Sequence, residues 1–180
     1  MKIISLNKIL NNRKFQRDLN MRPWYWPEGG QPYRTEPFTW IVKGKMAAGW
    51  WPEAKEIEIF KKEGIKAVIN CSEFDNKQEI SKHFKYYHID IPDYGTPTDS
   101  QLERYLNITE QHQAKNESIV VHCVAGCGRT GIMVVAWGAY NRIIPKGMDP
   151  VKWIRKFRSC SLETKEQMDL ARKIATKYQK

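Results

Sequence analysis

Long apolar runs are absent from this 180-residue sequence. No stretch of about 18 consecutive apolar residues occurs, so a membrane-spanning helix is not expected. The first twenty residues, MKIISLNKILNNRKFQRDLN, are interrupted by polar side chains and contain no continuous apolar core. A secretory signal peptide is therefore not expected either. The predicted setting is the cytoplasm, without a membrane partner.

Cysteine is also scarce. The four cysteines, Cys71, Cys123, Cys127 and Cys160, are too few and too scattered for the disulfide scaffold of a small secreted protein. The pair at 123 and 127 is not accompanied by a further Cys or His cluster, which a zinc site usually requires. We therefore predict no metal and no other cofactor, and each cysteine becomes a candidate for chemistry of its own.

Nucleic-acid motifs and internal repeats are missing too, although the formal net charge is +10. The positive excess lies at the two ends, because residues 1–22 carry six basic and one acidic side chain and residues 146–180 carry ten and four. A basic surface attracts phosphorylated or otherwise anionic partners. Charge without a recognition motif is weak evidence for a nucleic-acid partner, so that partner is not favoured.

Strand and helix patterns alternate along the rest of the chain. Apolar, β-branched segments predict strands, and amphipathic or long apolar segments predict helices. The alternation indicates an α/β fold, a single domain with a central, mostly parallel sheet flanked by helices. Residues 1–37 are basic and aromatic and are predicted to form an extension. The predicted strands are 38–42, 65–71, 86–90 and 118–123, and the predicted helices are 52–64, 100–116, 129–144, 149–159 and 163–179.

A loop of small residues joins the last predicted strand to the next helix. The strand ends at Cys123 and the helix begins near Arg129. Backbone amides of such a loop, with the positive end of the helix, form a cradle for a dianionic phosphate. The same dipoles favour a thiolate at Cys123, and Arg129 can fork two hydrogen bonds onto phosphate oxygens. The loop residues are Val124, Ala125, Gly126, Cys127 and Gly128.

Attack of a thiolate on phosphorus leaves an oxyanion that needs a proton, so an acid is required nearby. The turn-rich segment IPDYGTPTD, residues 91–99, supplies Asp93. Asp90, in the preceding strand, and Asp99, which can cap the next helix, are alternatives. The hydroxyl of Thr130 can donate to the sulfur and ease its departure in a second step.

These motifs resemble the cysteine-dependent protein tyrosine phosphatase superfamily. Cys-x5-Arg followed by Thr and preceded by His122, with HIDIPDYGTPTD upstream and SLETKEQM downstream, is most similar to small archaeal tyrosine and dual-specificity phosphatases. The resemblance covers about residues 38–175 and implies a dual-specificity phosphatase-like catalytic domain at 38–180. It also implies hydrolysis of phosphotyrosine, and of phosphoserine or phosphothreonine, on protein substrates through a cysteinyl phosphate.

The resemblance further implies a role for each motif residue. Cys123 would be the nucleophile, Arg129 and the amides of 124–129 would bind the phosphoryl group, and Asp93 would be the general acid and then the base. His122 would support the thiolate, and Gln167 lies in the segment that places the hydrolytic water. Many relatives have Gln where Glu163 stands, which puts a water-placing role of residue 163 in doubt.

Two questions stay open at this point, the function and the role of two cysteines. An RNA 5′-phosphatase of the same superfamily and a phosphate-binding module without catalysis are alternative functions. Cys71 or Cys127 could trap an oxidised Cys123 as a disulfide and protect it from further oxidation. Simple packing of both thiols is the alternative.

Overall fold

A five-stranded sheet forms the centre of the fold. The computed structural model describes residues 36–178, so nearly all of the predicted extension 1–37 lies outside it and that boundary stays a prediction. The spatial order is β1-β2-β5-β3-β4; β1 pairs antiparallel with β2, and the other pairings are parallel. The strands are β1 (Phe38–Val42), β2 (Met46–Gly49), β3 (Ile65–Asn70), β4 (Lys85–His88) and β5 (Ser118–His122).

Six helices flank the sheet in the described part of the chain. The predicted α/β architecture is confirmed: the strand at 38–42 has its predicted ends, and the other predicted strands and helices are present with shifted ends. Two short elements, β2 and α2, were not predicted, because MAAG lacks β-branched residues and four residues are too few to show a helical period. The helices are α1 (Ala54–Lys62), α2 (Lys77–Ile80), α3 (Asp99–Gln113), α4 (Gly128–Tyr140), α5 (Pro150–Arg155) and α6 (Lys165–Tyr178).

Both faces of the sheet are covered, as expected for parallel strands. In the central strand β5, Ile119 and Val121 face a core shared with α3, α4, α5 and α6, whereas Val120 faces a second core that contains Phe60 of α1. Because β2, β5 and β3 are neighbouring parallel strands, their carboxyl ends lie at the same edge of the sheet. The loops that follow these strands meet at that edge. No helix within residues 36–178 has the length and apolar character needed to cross a membrane.

Candidate active site

The loop between β5 and α4 lies at this edge, with Cys123 almost fully buried at its start. Backbone hydrogen bonds fix its base, because Trp51 N donates to Val124 O over 2.9 Å. Gly126 has a φ of +70°, and a Cβ there would lie 2.4 Å from Gly49 O at the end of β2. Only glycine permits this backbone conformation together with so close an approach to a neighbouring strand.

Gly128, the first residue of α4, contacts the segment before α6. Its N–H donates to Glu163 Oε2 over 3.0 Å. A Cβ at position 128 would lie 2.7 Å from both Glu163 Oε2 and Gln167 Oε1. The small residues of the loop thus make room for backbone on one side and for the Glu163–Gln167 segment on the other.

Arg129 is buried, yet its guanidinium contacts two carboxylates. Nη2 donates to Asp93 Oδ1 over 2.8 Å, and Nη1 donates to Ile91 O over 3.0 Å and to the carboxylate of Glu73. Burial by itself lowers the pKa of Arg129, but the charges of Cys123, Asp93 and Glu73 outweigh it and raise that pKa above its usual range. The guanidinium therefore stays charged beside the loop.

Asp93 lies in the loop between β4 and α3 and is the aspartate that reaches Arg129. Tyr94 N also donates to Asp93 Oδ1, over 3.1 Å, and Tyr94 has a φ of 57°, an uncommon conformation for a residue with a side chain. Asp90 and Asp99 are exposed and are not among the hydrogen-bond partners found for Arg129 within the described residues. The expectation that Asp99 caps α3 is wrong, because Thr98 is the cap residue.

Gln167 is fully buried and joins two loops of the site. Its Oε1 accepts from Glu163 N over 2.7 Å and from Thr164 N over 3.3 Å. Its Nε2 donates to Gly95 O, in the Asp93 loop, over 3.1 Å. The amide thus ties the turn at 163–164 to the loop that carries the acid, while its predicted part in placing water stays a prediction.

His122 lies beneath the loop and fixes its backbone. The ring packs edge-on against Trp51, and Nδ1 lies 3.1 Å from Cys123 O. Burial lowers the pKa of His122 to about 4, so the ring is neutral at pH 7 and donates from Nδ1. Thr130 Oγ1 is buried without a hydrogen-bond partner among the described residues.

Glu73 is a site residue that the sequence analysis missed. It lies in the turn after β3, and Asn70 holds that turn: Ser72 N donates to Asn70 Oδ1 over 2.9 Å and Asn70 Nδ2 donates to Phe74 O over 2.7 Å. The signal that could have identified Glu73 is the order of the strands in the sheet. Since β3 is parallel to β5 and beside it, a carboxylate just after β3 must lie near the loop that follows β5.

Arg158 is a second site residue that was not predicted, because it lies in a basic stretch of sequence that is typical of a solvent-exposed surface. The side chain is buried behind the loop, where Nε donates to Gly126 O over 2.9 Å. Nη1 donates to Glu36 O over 2.8 Å and to Thr39 Oγ1 over 3.1 Å. Burial lowers the pKa of Arg158 to about 10, so it remains charged at pH 7.

The cysteines are paired differently from the expectation. Cys127 and Cys160 form a disulfide with a Cα–Cα distance of 5.3 Å. With its sulfur bonded to Cys160, Cys127 is not available in this structure to trap an oxidised Cys123, and its predicted redox role toward Cys123 stays a prediction. No sequence pattern predicts this pair, because the two residues are 33 positions apart and are brought together only when α4 and α5 fold back.

Cys71 is a fully buried free thiol, and burial raises its pKa well above the usual value. Its predicted redox role stays a prediction. Among residues 36–178, no group of three or more His, Cys, Asp and Glu side chains is arranged to hold a metal ion.

Comparison with known proteins places this geometry in a family. A family model described as "Polymorphic toxin system, DSP-PTPase phosphatase" matches residues 45–141. Dual specificity protein phosphatase CDC14A of Homo sapiens is 30% identical over 155 residues, which are 77% of this chain and 25% of that protein. The chain thus spans about a quarter of the length of this curated relative.

Two solved structures share the fold. Tk-PTP in its active form has a TM-score of 0.68 at 24% identity, over 78% of this chain and 97% of its own. PTPMT1 in complex with PI(5)P has a TM-score of 0.66 at 18% identity, over 80% and 97%. The family match, the CDC14A relative and the loop from Cys123 to Arg129 agree with the resemblance predicted from the motifs. The chain belongs to the dual-specificity phosphatase family of the cysteine-dependent protein tyrosine phosphatases.

Proposed function

We propose that this chain is a protein phosphatase that hydrolyses phosphotyrosine, and also phosphoserine and phosphothreonine, through a cysteinyl phosphate at Cys123. The observation that carries the proposal is the hydrogen bond of 2.8 Å between Arg129 and Asp93, beside the loop that begins with Cys123. It joins the residue that we propose binds phosphate to the residue that we propose is the acid, from segments 36 positions apart in the chain. Family membership supports the same chemistry.

In the first step, the sulfur of Cys123 attacks phosphorus, so an S–P bond forms as the bond to the leaving oxygen breaks. The loop amides and Arg129 hold the three other phosphate oxygens, where charge is spread in the transition state. Asp93 gives its proton to the leaving oxygen. A bound dianion competes with Asp93 for Arg129 and, by charge repulsion, favours the protonated acid that this step needs.

In the second step, water attacks the phosphorus of the cysteinyl phosphate and Asp93 takes the water's proton. The S–P bond breaks and Cys123 leaves as a thiolate, to which the hydroxyl of Thr130 donates. Gln167 acts as a positioning residue, because it ties the Asp93 loop to the turn at 163–164. None of these steps calls for a metal ion or another cofactor.

The charges around the loop and an exposed aromatic side chain favour an aryl phosphate over a polyphosphorylated headgroup as substrate. Three carboxylates contact the loop or its arginine, and the loop contains no lysine. Additional phosphate groups on a substrate would meet these like charges. Tyr94, beside Asp93, is 37% exposed and offers an aromatic face for a phenyl ring. The contacting carboxylates are those of Glu73, Asp93 and Glu163.

A steady-state assay of matched phosphopeptides tests the proposal, with PI(5)P vesicles and an RNA 5′-triphosphate as competing substrate classes. We expect the phosphotyrosine peptide to have the highest kcat/KM and Cys123→Ser to abolish turnover. Asp93→Asn should lower kcat by about 10²–10³-fold while inorganic phosphate still binds. Asp99→Asn removes the same charge from the exposed start of α3 and should keep the wild-type rate.

Wild-type turnover by Cys123→Ser would contradict the mechanism. Faster hydrolysis of the RNA 5′-triphosphate or the lipid would overturn the substrate class and leave the cysteinyl phosphate intact. The cytoplasmic location stays a prediction; the Cys127–Cys160 bond is of a kind more common in oxidising compartments.

A further inference from the structure

The Cys127–Cys160 disulfide constrains the phosphate loop at a position flanked by two glycines. Cys127 stands between Gly126 and Gly128, the two residues of the phosphate loop whose backbones have the greatest conformational freedom. Its own amide is one of those that line the predicted cradle. A covalent bond at this position restricts the part of the loop that would otherwise lose the most entropy on ordering around an anion.

The other end of the bond is attached to the second loop of the site. Cys160 precedes Glu163 by three residues, and Glu163 accepts from Gly128 N while its own N–H is held by Gln167. The disulfide therefore clips the loop that binds phosphate to the segment that contacts the Asp93 loop. Without the clip, the described ties between the two loops are hydrogen bonds such as the one from Arg158 to Gly126.

Both cysteines of the disulfide are buried. Cys127 is 1% exposed and Cys160 is 6% exposed. The nucleophile Cys123 is a separate free thiol and is not part of the disulfide. A small dithiol that reaches the pair during local opening of the loop can reduce the clip without consuming the nucleophile.

We propose that Cys127 and Cys160 form a reversible thiol–disulfide site, a substrate for dithiol reductants, whose oxidised form tightens phosphate binding in the adjacent loop. Reduction breaks the Cys127–Cys160 bond, forms the disulfide of the dithiol, and transfers two electrons and two protons to the protein sulfurs. The inference rests on the proposed role of residues 124–129 as the phosphate cradle. It assigns a redox control to that cradle through a residue pair outside the nucleophile.

Thermodynamic linkage gives the proposal a reciprocal test. If reduction weakens phosphate binding by some factor, then saturating phosphate must make the disulfide harder to reduce by the same factor. A disulfide that merely stabilises the fold would lower the melting temperature on reduction but would show neither effect. We expect a factor of about 3–10, at the low end of typical coupling between sites, because the hydrogen bonds between the loops remain.

The experiment uses inorganic phosphate as the probe and buffers of oxidised and reduced dithiothreitol. The inhibition constant of phosphate against an aryl phosphate substrate is measured for the oxidised and the reduced protein. In parallel, the fraction of Cys127 and Cys160 alkylated at each dithiol ratio is read by peptide mass spectrometry, with and without saturating phosphate. Both measurements should give the same factor of about 3–10.

Two variants sharpen the result. Cys160→Ala should have the phosphate inhibition constant of the reduced wild type and should not respond to the dithiol. Cys71→Ala removes a buried thiol without touching the clip and should keep the full dithiol response. If Cys160→Ala does not fold, the reduced wild type still gives the comparison.

Equal inhibition constants in both redox states, with an unmoved dithiol midpoint, would overturn the proposal and leave the phosphate site standing. Absence of phosphate inhibition in either state would instead overturn the cradle itself, and with it the proposed function. The two failures are therefore distinguishable in one set of data.

Discussion

The two sides of the phosphate loop each hold a buried arginine, and the two arginines are used in opposite ways. Arg129, at the front, contacts the carboxylates of Asp93 and Glu73, which help to raise its pKa. Arg158, at the back, donates to the backbone carbonyls of Gly126 and Glu36, and burial lowers its pKa to about 10. The front of the loop is organised by charge, whereas the back is organised by hydrogen bonds to backbone.

This difference indicates that Arg129 is suited to bind an anion, whereas Arg158 maintains the conformation of the loop. A cation paired with partly exposed carboxylates can exchange them for a phosphate, because the carboxylates and the phosphate are all anions. A cation bonded to carbonyl oxygens of the loop and of the chain before β1 has no anion to exchange, so its contacts hold the loop in place. Substitutions on the two sides should therefore fail in different ways.

The front should show the larger catalytic effect. Arg129→Lys removes the forked hydrogen bonds to phosphate, and we expect kcat/KM to fall by about 10³-fold. Steady-state kinetics with an aryl phosphate measure the loss, and chemical denaturation measures stability alongside it. Arg172→Lys, the same change on the exposed face of α6, is the matched control. A fall of less than about tenfold would remove the distinction between front and back.

Beneath the loop, His122 should show its effect in the pH dependence of stability. Because its folded pKa is about 4 and the unfolded value is 6.5, the unfolded state binds more protons between these pH values. The stabilisation is complete above pH 6.5 and is lost as the pH falls through 4, a loss of about 3 kcal/mol.

Urea unfolding at several pH values between 7 and 4 measures this loss. His122→Gln should be less stable at pH 7 but should flatten the profile, because the titrating group is gone. His83→Gln, on an exposed histidine, should leave the slope unchanged. A wild-type profile that is already flat between pH 6.5 and 4 would show that His122 is not held neutral by burial.

The smallest effect is expected at the rear arginine itself. Arg158→Lys keeps the charge but loses the fork that reaches Gly126 and Glu36, and we expect about a tenfold fall in kcat/KM. The free energy of unfolding should fall by about 1–2 kcal/mol, since buried carbonyls lose donors. Thermal unfolding and kinetics check both, with the exposed Arg104→Lys as control. A loss of activity without a loss of stability would show that Arg158, like Arg129, contributes to activity rather than to holding the loop in place.

The parts of the site that the sequence predicted are those that belong to a recognisable motif or to a segment whose chemistry the reaction requires. Cys123 and Arg129 share one motif at a strand end, and Asp93 follows from the need for an acid in a turn-rich loop. Glu73, Arg158 and Cys160 come from segments far from that motif, where a polar or isolated side chain reads as solvated. Their roles depend on which strands are neighbours in the sheet and on how α5 folds back. Local patterns of apolar and polar residues carry no information on either. The same limit explains why β2 was missed.

The contact between Arg158 and Glu36 O has a practical consequence for choosing the amino-terminal boundary of a shortened form of this chain. The same guanidinium donates to Gly126 O in the phosphate loop. A Cβ on Gly49 would lie 2.9 Å from Pro37 O, so the chain before β1 is packed directly against the strand that supports this loop. A truncation placed at the start of β1 would remove part of the loop's support, so we expect a shortened form that keeps the loop in place to include Glu36 and Pro37.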